Sequence, residues 1–160
     1  MNKPELEDQF RATIQNKHRS WGRLISVLKR QFSAWISDIL VNNGYEDFKM
    51  AYMPLLMNIG PEGVTNKELA EKSFITKQAM SKVVKELLEL GYIETEKDYS
   101  DKRCANIFLT AKGKHLAVTV REKIYELELG YEKRLGHEKM NDVKDVMLEI
   151  IDFNNETLFA

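Results

Sequence analysis

Between Lys72 and Lys85 the chain carries four lysines (72, 77, 82, 85) and no acid, interleaved with Thr76, Gln78 and Ser81. Ammonium, amide and hydroxyl groups bond phosphate oxygens and base edges, so this composition suits a polyanion. On a helix, Ala79, Met80, Val83, Val84, Leu87 and Leu90 share one broad face, while Gln78, Ser81, Lys82, Lys85 and Glu89 fall in a narrow arc opposite. An ordinary solvated face mixes both signs of charge, whereas the first two turns of this arc hold no acid. A second charged cluster lies in "TEKDYSDKRCANIFL", residues 95–109, whose first nine positions hold six charged side chains before the run turns apolar. A solvated hairpin tip and a tip that grips a polyanion both explain it, so the flanking elements must decide.

Those elements can be read from local signals. In "VTNKELAEKSFITKQAMSKVVKELLELGY", Thr65 and Glu68 form a capping box, and Val64 and Leu69 occupy the positions of a hydrophobic staple. This short helix should end by Ser73. Thr76 caps a second, longer helix, and Gly91 suits its C-terminal stop. Only "SFIT" separates the two, which is the spacing of a helix-turn-helix, and Ala70 lets the helices approach closely. "YIETEK" and "ANIFL" then read as two antiparallel strands joined by "DYSDKRC". Thr110 caps a long helix beyond them, and a last helix is expected from Glu138 to about Thr157.

Upstream, apolar residues recur at helical spacing from Leu6 to Ile39, with one gap around Lys17 and His18, and "NNG" at 42–44 ends the run. A single small domain cannot cover so long a stripe, so part of it should meet another subunit. A further helix is expected from Asp47 to about Ile59, kinked or broken by Pro54. The expected fold is mainly α with a small β-hairpin, a winged helix-turn-helix with helices added at both chain ends. We expect one domain over 1–160, with the winged-helix lobe at 46–112 and dimerisation helices at 5–42 and 113–158.

Composition excludes several functions. The 160 residues are 43% hydrophobic and 31% charged, as expected of a soluble globular chain. No run of about 18 apolar residues exists, and "MNKPELEDQF" lacks the apolar core of a signal peptide, so a cytoplasmic protein without membrane contact is expected. Cys104, the one cysteine, rules out an internal disulfide and a four-cysteine zinc site. Lys102 and Arg103 beside it favour a thiolate, but a small residue opening a strand is the simpler reading. His18, His115 and His137 lack partners at metal-ligand spacing, so no metal or other cofactor is expected. No Gly-rich phosphate loop or nucleophile elbow points to an enzyme. The net charge of −1 hides a separation: the Lys72–Lys85 stretch carries +4, and 136–160, with six acids and two lysines, carries −4.

Taken together, "TNKELAEKSFITKQAMSKVVKELLELGYIE", the tip "DYSDKR" and the "LTAKGK" that follows resemble the MarR family of bacterial transcriptional regulators. The family's tip is usually written D-P-x-D-x-R; Asp98, Asp101 and Arg103 match it, while Tyr99 stands where the proline would be. The resemblance implies a homodimer whose terminal helices form the interface and whose two winged helices read a pseudo-palindromic double-stranded DNA operator, as a repressor relieved by a small aromatic or anionic effector. It places Gln78, Ser81 and Lys82 at the major groove beside the capping Thr76, with Lys77 and Lys85 on the backbone. Asp101, Lys102 and Arg103 form the wing tip at the minor groove. It also implies an effector pocket where the terminal helices meet the lobe. His18, Trp21, Met50, Met53 and Met57 are its candidate lining, although such residues serve mostly as core packing. Relatives that sense oxidants carry a reactive cysteine near the N-terminus, which this chain lacks. A winged-helix protein-interaction module without DNA binding is the alternative, and loss of the basic arc would favour it.

The wing yields a prediction whose sign is informative. A narrow minor groove concentrates negative potential that a guanidinium can exploit, and Asp101, two residues before Arg103, is spaced to hold that guanidinium in a planar pair. Arg103→Ala should cost about 1–3 kcal/mol of DNA affinity. Asp101→Ala should also weaken binding, although it removes a negative charge from a DNA-facing loop. A titration in which Asp101→Ala binds more tightly than the parent would reject the aiming role.

Overall fold

The computed structural model describes residues 3–14, 17–73, 75–97 and 105–157. In chain order it contains α1 (Lys3–Ile14), α2 (Trp21–Asn42), α3 (Met53–Asn58), β1 (Val64–Thr65), α4 (Asn66–Lys72), α5 (Lys77–Glu89), β2 (Ile93–Lys97), β3 (Ala105–Leu109), α6 (Ala111–Leu135) and α7 (His137–Thr157). Short 3-10 turns at Lys17–Arg19 and Met50–Tyr52 precede α2 and α3. The architecture is a winged helix-turn-helix with long helices at both ends of the chain.

Caps set the ends of the helix-turn-helix. Thr65 accepts from the Glu68 N–H at 3.3 Å while the Glu68 carboxylate accepts from the Thr65 N–H at 2.8 Å, so two orphan donors are satisfied reciprocally at the start of α4. Thr76 caps α5 by accepting from the Ala79 N–H. At the other end of α5, Gly91 takes φ +72°, and the N–H groups of Tyr92 and Gly91 return to the carbonyls of Leu87 and Leu88. Only a residue without a Cβ adopts that conformation cheaply.

Three expectations are corrected. The stripe from Leu6 to Ile39 does not form one helix: it is cut between α1 and α2 at the gap around Lys17 and His18, where the sequence offers no apolar group to bury. The helix expected from Asp47 begins only at Met53, after a 3-10 turn, and Pro54 sits in its first turn. A proline there needs no N–H partner, so it starts a helix instead of kinking one. The sheet has three strands in the order β1-β3-β2, because Val64 and Thr65 pair with Ile107 and Asn106 on β3. Two residues are too few for a periodic signal.

The β2–β3 hairpin keeps an unbroken antiparallel register from Ile93↔Leu109 to Lys97↔Ala105. Residues 98–104, with Asp101, Lys102, Arg103 and Cys104, connect the two strands and lie outside the described residues. The core is built from Leu55, Leu56, Leu69, Met80, Leu87, Tyr92 and Ile107, and it extends into Ile36 and Leu40 of α2 and Leu116 and Val120 of α6. Buried packing therefore crosses the expected lobe limits of 46 and 112. The N-terminal half of α2 and the C-terminal half of α6 leave the core, and α1 and α7 bury no residue. Trp21, Leu24, Leu28, Phe32, Leu129, Val146 and Phe153 are all exposed on these helices.

The turn from α5 into β2 is clasped by the start of α6. Lys112 donates to the Leu90 carbonyl at 3.1 Å, and the Thr110 hydroxyl donates to the Gly91 carbonyl at 2.7 Å. The Thr110 N–H bonds the Tyr92 carbonyl at 3.1 Å. The same Thr110 oxygen caps α6 by accepting from the Gly113 N–H. Gly113 is buried against Tyr92, and a Cβ there would fall far inside contact distance of the Tyr92 carbonyl oxygen, which is backbone and cannot swing away. Lys112 also pairs with Asp47 at 2.8 Å and lies 4.0 Å from the centre of the Tyr92 ring, while the Tyr92 hydroxyl donates to Asp47.

Two predictions follow from this clasp and the caps. Gly113→Ala should destabilise the protein by roughly 1–3 kcal/mol in urea unfolding, the usual cost of overpacking a filled site; a variant as stable as the parent would refute the close approach. The second concerns acid. Partial burial pushes the Asp47 carboxyl up, but hydrogen bonds from Lys112 and Tyr92 and the lysine's charge outweigh it and hold the group below its ordinary value of 3.8. Hydrogen bonds from the Thr65 backbone and hydroxyl likewise hold Glu68 below its ordinary 4.5. Groups depressed in the folded state stabilise it above those ordinary values and lose the contribution as pH falls through the folded ones. Urea midpoints should therefore decline between about pH 5 and pH 3, and less steeply in Asp47→Asn. An identical slope in that variant would remove Asp47 from the account.

Candidate nucleic-acid interface

Helix α5 presents the sequence-defined arc to solvent. Thr76, Lys77, Gln78, Ser81, Lys82 and Lys85 are all exposed, while Met80 and Leu87 are buried and Val83 and Val84 are half-buried on the opposite side. Ala79, assigned to the core face, is exposed instead, at the edge between the two faces. Of the two acids of α5, Glu86 is turned away from the arc and Glu89 stands at its far end. Glu86 turns toward the 3-10 turn before α3, where it accepts from the Tyr52 hydroxyl and from Lys49 at 3.2 Å. The hydrogen bonds from Tyr52 and then Lys49 hold the Glu86 carboxyl below its ordinary value, so it remains an anion bound to its own protein. Glu89 lies 3.9 Å from Lys85, an exposed pair that contributes little to stability. Among the described residues, Lys77 and Lys82 make no ion pair.

Three groups of contacts fix the orientation of this face. Near the N-terminus, the Asn66 amide donates to the Ser81 hydroxyl at 2.9 Å, which itself donates to the Lys77 carbonyl at 2.8 Å. This ties the first turn of α4 to the first two turns of α5 and aligns the Ser81 oxygen. In the middle, Glu86 is held by Tyr52 and Lys49 from outside the helix-turn-helix. At the C-terminus, Thr110 and Lys112 hold the last carbonyls. Asn66, Tyr52, Glu86 and Lys112 thus position the arc, a role the sequence did not assign to them. For Lys112 the "LTAKGK" motif was the available signal; for Asn66 and Glu86 there was none.

The candidate effector residues have different surroundings. Trp21 lines a shallow groove with Val143, Val146, Met147 and Ile150 of α7, and this groove includes neither His18 nor any of the three methionines. Met50, Met53 and Met57 are half-buried against the core of the lobe. His18 is exposed on its 3-10 turn. Among the described residues no group of three His, Cys, Asp or Glu is placed to hold a metal ion, and no helix is long and apolar enough to cross a membrane.

Comparison with known proteins places this geometry. A sequence model of the MarR family matches residues 46–103, from the loop before α3 to the wing. The exopolysaccharide II synthesis transcriptional activator ExpG of Rhizobium meliloti is 30% identical over 115 residues, 72% of this chain and 57% of that protein. The transcriptional regulator AdcR of Streptococcus pneumoniae is 35% identical over 63 residues, 39% of this chain and 43% of that protein. The chain thus spans about half the length of the curated relatives it matches. The crystal structure of Streptococcus pneumoniae FabT in complex with DNA shares the fold with a TM-score of 0.71 at 17% identity, over 86% of this chain and 99% of that one. With the helix-turn-helix, the wing strands and the "LTAKGK" clasp lying in or directly after the matched segment, the chain belongs to the MarR family.

Proposed function

We propose that the protein is a transcriptional regulator that binds a pseudo-palindromic double-stranded DNA operator as a homodimer. The observation that carries this reading is the exposed arc of α5, whose first two turns hold no acid and which is held by contacts with α4, the turn before α3 and the head of α6. In this proposal Gln78, Ser81 and Lys82 meet base edges, Lys77 and Lys85 meet phosphates with Thr76 at the helix start, and Asp101, Lys102 and Arg103 reach the minor groove. An interaction module without DNA binding has no need of a basic face locked in orientation. The DNA-bound state of FabT, whose fold this chain shares, supports the same reading.

Dimerisation rests on the terminal helices. One chain leaves the apolar stripes of α1, α7, the first half of α2 and the second half of α6 exposed, far more than scattered surface residues. A second copy related by a two-fold axis covers them and sets two α5 helices on successive major-groove faces. In this arrangement the dimer represses by occupying the operator, and a small aromatic or anionic effector relieves it.

Two outcomes test the reading. Lys82→Ala should weaken operator binding with the fold intact, and Lys77→Ala or Lys85→Ala should flatten the log affinity against log salt slope by about 0.9 per lost phosphate contact. Parental affinity and slope in all three variants would reject the α5 interface. Sedimentation at micromolar concentration should give a dimer, and duplexes selected from a random pool should contain two half-sites about one helical turn apart. A folded monomer, or selection of a lone half-site, would reject the dimeric reading.

A further inference from the structure

Ser81 stands on the exposed arc of α5 with its hydroxyl already engaged on two sides. It donates to the Lys77 carbonyl at 2.8 Å and accepts from the Asn66 side-chain amide at 2.9 Å. The partners force the direction of both bonds, because a carbonyl oxygen has no proton to give and an amide nitrogen has no lone pair to offer. A serine hydroxyl holds one proton and two lone pairs. The proton is therefore committed to Lys77 and one lone pair to Asn66. Among the described residues Ser81 has no other side-chain partner, so one lone pair remains, and it can only accept.

The Asn66 amide holds this bond at a cost. Asn66 is half-buried at the start of α4, and its own carbonyl oxygen is enclosed with no hydrogen-bond partner among the described residues. An enclosed acceptor without a partner is unfavourable. Turning the amide over would enclose its two N–H donors instead, and Ser81 could then meet it only as a donor. In either orientation the hydroxyl proton stays inside the protein.

Base edges in the major groove differ in what they require. Adenine and cytosine present an exocyclic amine, a donor, whereas guanine and thymine present a carbonyl, an acceptor. A free serine serves either kind. A serine whose proton is withheld serves only the amines, and it meets a carbonyl lone pair to lone pair.

We propose that Ser81, held by Asn66, is a specificity-determining acceptor that selects an amine-bearing base, adenine or cytosine, at one position of each half-site. Asn66 is the positioning residue, acting through the hydroxyl it holds. The inference rests on the placing of α5 in the major groove proposed above, and it adds the polarity of one contact.

The test uses the full chain and a duplex selected from a random pool, varied to all four bases at each position in turn. For the parent, one position per half-site should prefer adenine or cytosine over guanine and thymine roughly three- to tenfold, the range of one net hydrogen bond. Ser81→Ala should flatten that position and leave the others. Asn66→Ala, with Ser81 present, should flatten it as well, because the released hydroxyl can turn and donate. The double variant should show the same base ratio as either single variant, since Asn66 acts through Ser81. A merely structural tie between α4 and α5 predicts otherwise. Asn66→Ala would then lower affinity for every duplex alike and leave the base ratio unchanged, which overturns the inference. A Ser81-dependent preference for guanine or thymine overturns it too. If selected duplexes are weakened by Lys82→Ala while no position depends on Ser81, the inference fails and the α5 interface stands. If no duplex is selected over random sequence, that interface falls and the inference with it.

Discussion

Three successive backbone carbonyls, those of Leu90, Gly91 and Tyr92, are bonded by Lys112, Thr110 and the Thr110 N–H respectively. These are the carbonyls at which α5 ends and the chain turns into β2, and a helix end leaves its last acceptors without internal partners. Because one short segment at the head of α6 supplies every partner, the end of α5, the start of the wing and the start of α6 are fixed relative to one another. Gly113 makes this possible by letting the first turn of α6 lie against the Tyr92 carbonyl. The side chain of Lys112 extends the junction to Asp47, in the loop that follows α2. Four parts of the molecule therefore share one point of reference, and the direction of the α5 arc is set by it.

Helices α2 and α6 each serve two environments. Ile36, Ile39 and Leu40 near the end of α2, and Leu116, Ala117 and Val120 near the start of α6, are buried in the core around α5. Their far halves carry apolar residues into the open, alongside α7. Each helix therefore runs unbroken from an open apolar stripe into the core, and the buried half of α6 begins at the clasp that holds the end of α5.

Electrostatics depends on where charges are spent as much as on how many there are. The chain is close to neutral, yet the first turns of α5 keep an outer face without acids, and Glu86 further on is turned to Tyr52 and Lys49. That carboxylate stabilises the seating of α5 while being withdrawn from the surface a polyanion would meet. Six of the 25 acids lie in α7, remote in sequence from the basic stretch.

What the sequence determined by itself was local. Thr65 with Glu68, Thr76 with Ala79, and Gly91 after Leu90 act within four residues of one another, so their types and order suffice to mark where helices begin and end. The exposed arc from Gln78 to Lys85 followed from helical periodicity, again a property of neighbours. The tertiary structure decided what depends on distant partners. Asn66 meets Ser81 across 15 positions, Tyr52 meets Glu86 across 34, and Lys112 meets Asp47 across 65. None of these pairs has a spacing that sequence could reveal, because contact between them exists only once the core has brought their elements together. Pro54 and the two-residue β1 show the same limit: a proline's effect depends on where the helix around it begins, and Val64 and Thr65 become a strand only because β3 offers an edge to pair with.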